Sequence, residues 1–179
     1  MIGAVKLQFD ESMDAFVNLA QPLLLKHFNG GIMHPIHDYD EFRLQLLDTH
    51  AGIDILHELP NNQGVRGIAM RMQKGYFTTF TIRYKLATSS GITEYEKRLR
   101  AIVNDDILKP CYTVQGYYDA KNYNLLAMAY IKTRDLITAI ANDSCQKKIK
   151  SNGGDGNLFY VVDWYDLLFA GFDVKIITA

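Results

Sequence analysis

An α/β domain built on a central mixed sheet is what this chain predicts, and three observations predict it. Apolar residues recur at helical spacing before residue 52 and again after residue 93. Between these stretches, from Ile53 to Lys85, apolar and polar residues alternate with the period of two that marks half-buried strands. From residue 38 to 118 the segments read helix, three strands, helix, strand, and that αβββαβ interleaving sets helices against one sheet.

The elements follow in order. Asp10-Glu11-Ser12 opens an apolar-periodic run through Phe16, Val17, Leu19, Leu23, Leu24 and Phe28, with Pro22 expected to kink it and Asn29-Gly30-Gly31 to end it. Asp38 and Glu41 have capping-box spacing and start a helix that buries Phe42, Leu46 and Leu47 before stopping at Gly52. Ile53–Leu59 reads as a strand closed by the turn cluster Pro60–Gly64. Val65–Gln73 and Tyr76–Lys85 follow as strands joined at Lys74-Gly75, an expected tight hairpin. Thr93 and Glu96 make a second capping box, opening a basic helix that runs to about Asn104. Cys111–Tyr118 and Leu125–Ile131 are strands, and Thr133 caps a short helix. Beyond the flexible loop Ser151–Gly156, strands Leu158–Asp163 and Val174–Ile177 flank a turn of helix. The whole is an αβββαβ core with an N-terminal helix and a C-terminal βαβαβ extension, one domain over residues 1–179.

Composition narrows the classes. With 48% hydrophobic residues in 179, the chain can bury a core without covalent staples. A net charge of −1 argues against a generally basic coat, leaving a local basic cleft as the route to any polyanion. Cys111 and Cys145 have no metal-ligand spacing and read as reduced thiols of a cytoplasmic protein. No apolar run reaches membrane-spanning length, and Asp10, Glu11 and Asp14 are unlike a cleaved leader. There is no P-loop, dinucleotide fingerprint or GxSxG elbow. His34 and His37 have ligand spacing but no third ligand near them.

The chemistry gathers on Asp54 and the strand after it. Arg66, Ile68, Met70 and Met72 share one face of that strand, and Val65, Gly67, Ala69, Arg71 and Gln73 share the other. Arg71 and Gln73 thus stand together over small residues, and Asp54 interrupts an apolar strand beside them. The three side chains are expected on one side of the sheet, within ~8 Å of one another.

That element order, with Asp48, Gly52-Ile53-Asp54 and Ile68–Gln73 within it, resembles the common core of the PD-(D/E)xK, or restriction-endonuclease-like, nuclease superfamily, over about 80 of the 179 residues. The resemblance implies Mg²⁺ on Asp54, with Ala69 standing where the superfamily has a second acid and Arg71 where it has lysine. Glu41 or Asp48 would complete the metal site, and Arg71 and Gln73 would position phosphate or water. Each has a plain structural alternative: Glu41 as a capping residue, Asp48 as a solvated helix residue, Asp54 as the partner of Arg71.

Thr79, Thr81, Arg83 and Lys85 share a strand face suited to phosphate, and Lys97, Arg98 and Arg100 follow on the next helix. Arg83, Lys85, Lys97 and Arg98 are therefore the expected nucleic-acid contacts, as one basic patch near Asp54. The tyrosines at 112, 117, 118 and 123 suit packing or base stacking. The function expected is action on DNA or RNA, as a Mg²⁺-dependent phosphodiesterase; the alternative is an inactive relative that binds nucleic acid or protein.

Overall fold

The computed structural model describes residues 10–36, 47, 51–87, 91–106, 109–151 and 156–178. Its strands are β1 (Ile32–Pro35), β2 (Ile55–Glu58), β3 (Val65–Lys74), β4 (Thr79–Lys85), β5 (Pro110–Asp119), β6 (Asn124–Lys132), β7 (Lys147–Ser151), β8 (Leu158–Asp163) and β9 (Lys175–Thr178). Its helices are α1 (Gln21–His27), α2 (Glu94–Val103), α3 (Thr133–Ala141) and α4 (Trp164–Phe169). Residues 10–15 are helical as well, and a π-helical turn, Phe16–Ala20, joins them to α1. The wide turn lies where Pro22 needs it. Proline has no N–H for the carbonyl four residues back and its ring would strike that carbonyl, so the helix opens around Asn18.

Six strands form a central mixed sheet in the order β1-β2-β3-β5-β6-β9. Among these described strands only β3 and β5 run parallel, and the crossover between them carries β4 and α2. The α/β class with a central mixed sheet is as expected. The tight hairpin is not. Thr79–Lys85 leaves β3 altogether and pairs with β8 in a second, three-stranded sheet ordered β4-β8-β7. Two facts account for the departure. One edge of β3 is taken by β5 from Gly67 to Lys74, and on the other the Met70 and Met72 amides are met by the side chains of Asp54 and Ser12. The link after Gly75 also holds Phe77 against Tyr117, ring centroids 5.5 Å apart, and the Trp164 amide donates to the Thr78 carbonyl at 2.7 Å. Strands β1 and β7 leave no mark in the sequence pattern: one contains Pro35 and the other is mostly lysine, and neither alternates cleanly.

Both faces of the central sheet are covered. Ile68 and Met72 of β3 pack with Phe16, Leu24 and Phe28 of the N-terminal helical segment, so the apolar face read from β3 does meet a helix. On the other side Tyr117, Ala129 and Ile131 pack with Leu136 and Ile140 of α3, with Phe80 and Ile82 of β4 and with the fully buried Trp164. The other edge of β3 is sealed differently. Strand β2 is only four residues long, so the β3 amides beyond Ile68 find side chains. The Asp54 carboxylate accepts from the Met70 amide at 2.6 Å. The Ser12 hydroxyl accepts from the Met72 amide at 3.1 Å and donates to its carbonyl at 3.2 Å, and Lys74 pairs with Glu11 at 2.6 Å. The first helical turn thereby closes an edge that would otherwise offer unpaired backbone.

Candidate nucleic-acid interface

Between the two sheets lies a polar layer built on the small-residue face of β3. Arg71 emerges beside the fully buried Ala69, and its Nη2 donates to both carboxylate oxygens of Glu94, the first residue of α2, at 2.8 and 3.0 Å. Thr93 caps α2 with the expected capping box, which sets where the helix, and with it Glu94, begins. Glu94 Oε2 also accepts the backbone amide of Arg83 at 3.1 Å. Arg98, four residues on along the same helix face, is only 6% exposed and lies in the field of both Glu94 and Asp54.

Three guanidinium groups therefore bear on two carboxylates. Burial pushes the Glu94 carboxyl up, but the Arg71 guanidinium, then Arg98, the Arg83 amide and the Arg83 charge, bring it down to about 2. Burial pulls Arg98 below its ordinary value, opposed by Glu94 and Asp54. The Nε atoms of Arg83 and Arg98 are both buried without a hydrogen-bond partner among the described residues. Native proteins rarely leave such donors orphaned except where a bound water, an ion or a function uses them.

Around this core the layer is completed by neutral groups. Arg71 Nη1 donates to the Thr81 hydroxyl at 3.2 Å; that hydroxyl donates to Gln115 Oε1 at 3.1 Å, and Gln115 Nε2 donates to Gln73 Oε1 at 3.2 Å. Gln115 is opposite Arg71 in the β3–β5 ladder, so the chain of bonds runs across the sheet.

Set beside the expected site, Arg71 and Gln73 do share a face, but each has its own partner, Glu94 and Gln115. The Asp54 carboxylate turns to the β3 backbone at Met70. Glu41 and Asp48 lie outside the described residues. The expected basic patch of Arg83, Lys85, Lys97 and Arg98 is not one exposed surface, because Arg98 is buried with Ala101 on the inner stripe of α2, beside the half-buried Glu94. Glu94 and Gln115 were missed as site residues. The i, i+4, i+7 spacing of Glu94, Arg98 and Ala101 was the available signal that this charged stripe faces inward.

The three-stranded sheet extends the cluster. Arg83 of β4 is directly opposite Phe159 of β8, and Phe159 is directly opposite Lys150 of β7. Thr81, Val161 and Lys148 form the next row on the same face. The guanidinium carbons of Arg71 and Arg83 stand 5.3 and 5.7 Å from the centre of the Phe159 ring. Lys148 and Lys150 are exposed. Cβ atoms directly opposite are about 5 Å apart, so cations and one aromatic ring span roughly 10 Å across this sheet.

Among the described residues no three His, Cys, Asp or Glu side chains gather as a metal site. No helix among them is long and apolar enough to cross a membrane, and Cys111 and Cys145 are free thiols. No family model, no curated protein and no solved structure matches this chain.

Proposed function

We propose that this chain binds nucleic acid, holding the phosphodiester backbone along the face of the three-stranded sheet that carries Arg83, Phe159 and Lys150. The observation that supports it most is the row itself: two cations flank an aromatic ring at strand spacing, next to a partly buried arginine cluster with more positive than negative charge. Single-stranded binders combine such cations with an aromatic platform on which a base stacks. Arg71 and Glu94 anchor the inner end of the row, and Lys148 and Lys150 carry it to the surface.

Binding is favoured over cleavage because the two carboxylates of the cluster are already engaged by the protein. Glu94 gives both oxygens to Arg71 and one also to the Arg83 amide, and Asp54 gives one to Met70. A hard divalent ion needs several oxygens free to coordinate it.

Fluorescence anisotropy with labelled single- and double-stranded DNA and RNA tests the proposal. Affinity should fall as salt rises. Arg83→Gln with Lys150→Gln should flatten that slope by about 1.4 on single strands, at about 0.7 for each phosphate no longer neutralised. Salt-insensitive binding, or no binding at low salt, rejects it. Mg²⁺-dependent shortening of the same oligonucleotides would overturn the preference for binding over cleavage.

A further inference from the structure

The opposite face of β3 carries a second arginine in a different setting. Arg66 stands at the start of the strand, with its guanidinium carbon 4.0 Å from the Phe28 ring centre and 4.9 Å from that of Tyr112. Its Nε donates to His57 Nδ1 at 3.0 Å. His57 is fully buried, and its other nitrogen, Nε2, lies 2.9 Å from the Gly30 carbonyl, which can only accept. The imidazole is therefore neutral, with its proton on Nε2. Burial first, and the Arg66 charge after it, lower the His57 pKa against the opposing Gly30 bond. Gly31, at φ +99°, leaves room for the ring, since a Cβ there would strike His57 Nε2.

Arg66 is thus fixed at its Nε and along its plane by neutral partners, and no carboxylate among the described residues cancels its charge. It opens on a cleft of about 260 Å³ between the end of α1 and the ends of β5, β6 and β9. Lys132 lies opposite Tyr112, and Lys175 opposite Tyr130, so both lysines border the same cleft. Asp173 is the one acid among the described residues that line it, and it pairs with Lys175 at 2.6 Å. Arg66 and Lys132 remain as a surplus of two positive charges over an aromatic floor.

We propose that this cleft is a binding site for a phosphomonoester, with the Arg66 fork and Lys132 holding the phosphate dianion and Tyr112 and Tyr130 bounding the group attached to it. A planar guanidinium held by its neighbours loses little freedom on gripping two oxygens, which is the task arginine does and lysine does not. The phosphate is that of a small metabolite or of a nucleic-acid end.

Isothermal titration calorimetry at low salt decides it, with adenosine 5′-monophosphate, inorganic phosphate and adenosine as probes. The wild type should bind the monophosphate and phosphate and ignore adenosine. R66K keeps the charge and the stem but not the fork, and should weaken monophosphate binding by about tenfold, the worth of one charged hydrogen bond. K132Q, at an exposed position, should weaken it without disturbing the fold, and carries the test alone should R66K melt early. A 5′-phosphorylated oligonucleotide that outbinds its 5′-hydroxyl twin names the nucleic-acid end as ligand; equal binding of the twins, with the monophosphate still bound, names the free metabolite. The proposal fails if neither phosphate probe binds, if adenosine binds as well as its monophosphate, or if R66K and K132Q bind like the wild type.

Discussion

Arg66 and Arg71 lie five residues apart on one strand, on opposite faces of one sheet, and their partners give them different work. Arg71 meets a carboxylate: both oxygens of Glu94 accept from its Nη2, and the pair sits between two sheets at 21% and 28% side-chain exposure. Arg66 meets a neutral imidazole and two aromatic rings, which hold it in place and leave its charge in force. A guanidinium matched to a carboxylate is a structural tie with little left for a ligand. One fixed by neutral groups is ready for an anion. The Arg71 cluster contributes to binding only through its surplus, Arg83 and the lysines of β7.

The largest test of this contrast is Glu94→Gln. It leaves three guanidiniums around a neutral amide, and removing one partner of a partly buried ion cluster costs up to about 3–5 kcal/mol, the range of fully buried pairs. Urea denaturation should show a loss of that order, together with unchanged monophosphate binding at the Arg66 cleft in the folded fraction. A loss below about 1 kcal/mol, the range of exposed pairs, would mean that the cluster is solvated and the contrast false.

What sequence could show and what it could not follows the same division. Alternation along Val65–Gln73 correctly put Arg71 and Gln73 together over Gly67 and Ala69, because strand faces are a local property. The Thr93–Glu96 capping box was legible for the same reason. Partners were not legible. Glu94 reaches Arg71 only because β4 departs for a second sheet and the chain returns through α2, a choice made by the competition of β5, Asp54 and Ser12 for the edges of β3. Arg98 read as a surface cation because a basic helix is normally solvated, whereas here its neighbours on the stripe are a glutamate turned inward and an alanine. The His57–Arg66 pair was missed because a lone histidine in an apolar strand gives no sign of its tautomer.

Acid separates the two arginine sites by pH. His57 is neutral in the fold with its pKa below the ordinary 6.5, so its contribution is complete above about pH 6.5 and is lost as pH falls below that value, when the unfolded chain takes up the proton first. Glu94 titrates near 2 against an ordinary 4.5, so its contribution is complete above about pH 4.5 and is lost as pH falls from there through about 2. Melting temperatures should therefore drop in two stages. His57→Gln should blunt the upper stage and Glu94→Gln the lower. A single stage untouched by His57→Gln would show that the imidazole takes up its proton as readily in the fold as in the unfolded chain, and that the Arg66 setting does not hold it neutral.

The smallest effect expected is at Thr81, and it sharpens what the neutral part of the Arg71 cluster does. Thr81→Val keeps the shape and removes one hydroxyl that accepts from Arg71 and donates to Gln115. Arg71 keeps Glu94 and retains a 3.4 Å contact to the Thr81 carbonyl, and Gln115 keeps Gln73. Two hydrogen bonds of a network with other anchors are lost, each worth about 1 kcal/mol at most, so urea denaturation should register a loss of about 1–2 kcal/mol. Oligonucleotide affinity should hardly move, because Arg83 and Lys150 are untouched. If instead the variant loses as much stability as Glu94→Gln, the hydroxyl sets the Arg71 contact with Glu94, and the rigidity of the cluster comes from its neutral groups rather than from the carboxylate. The difference between the two arginines of β3 would then lie in charge alone.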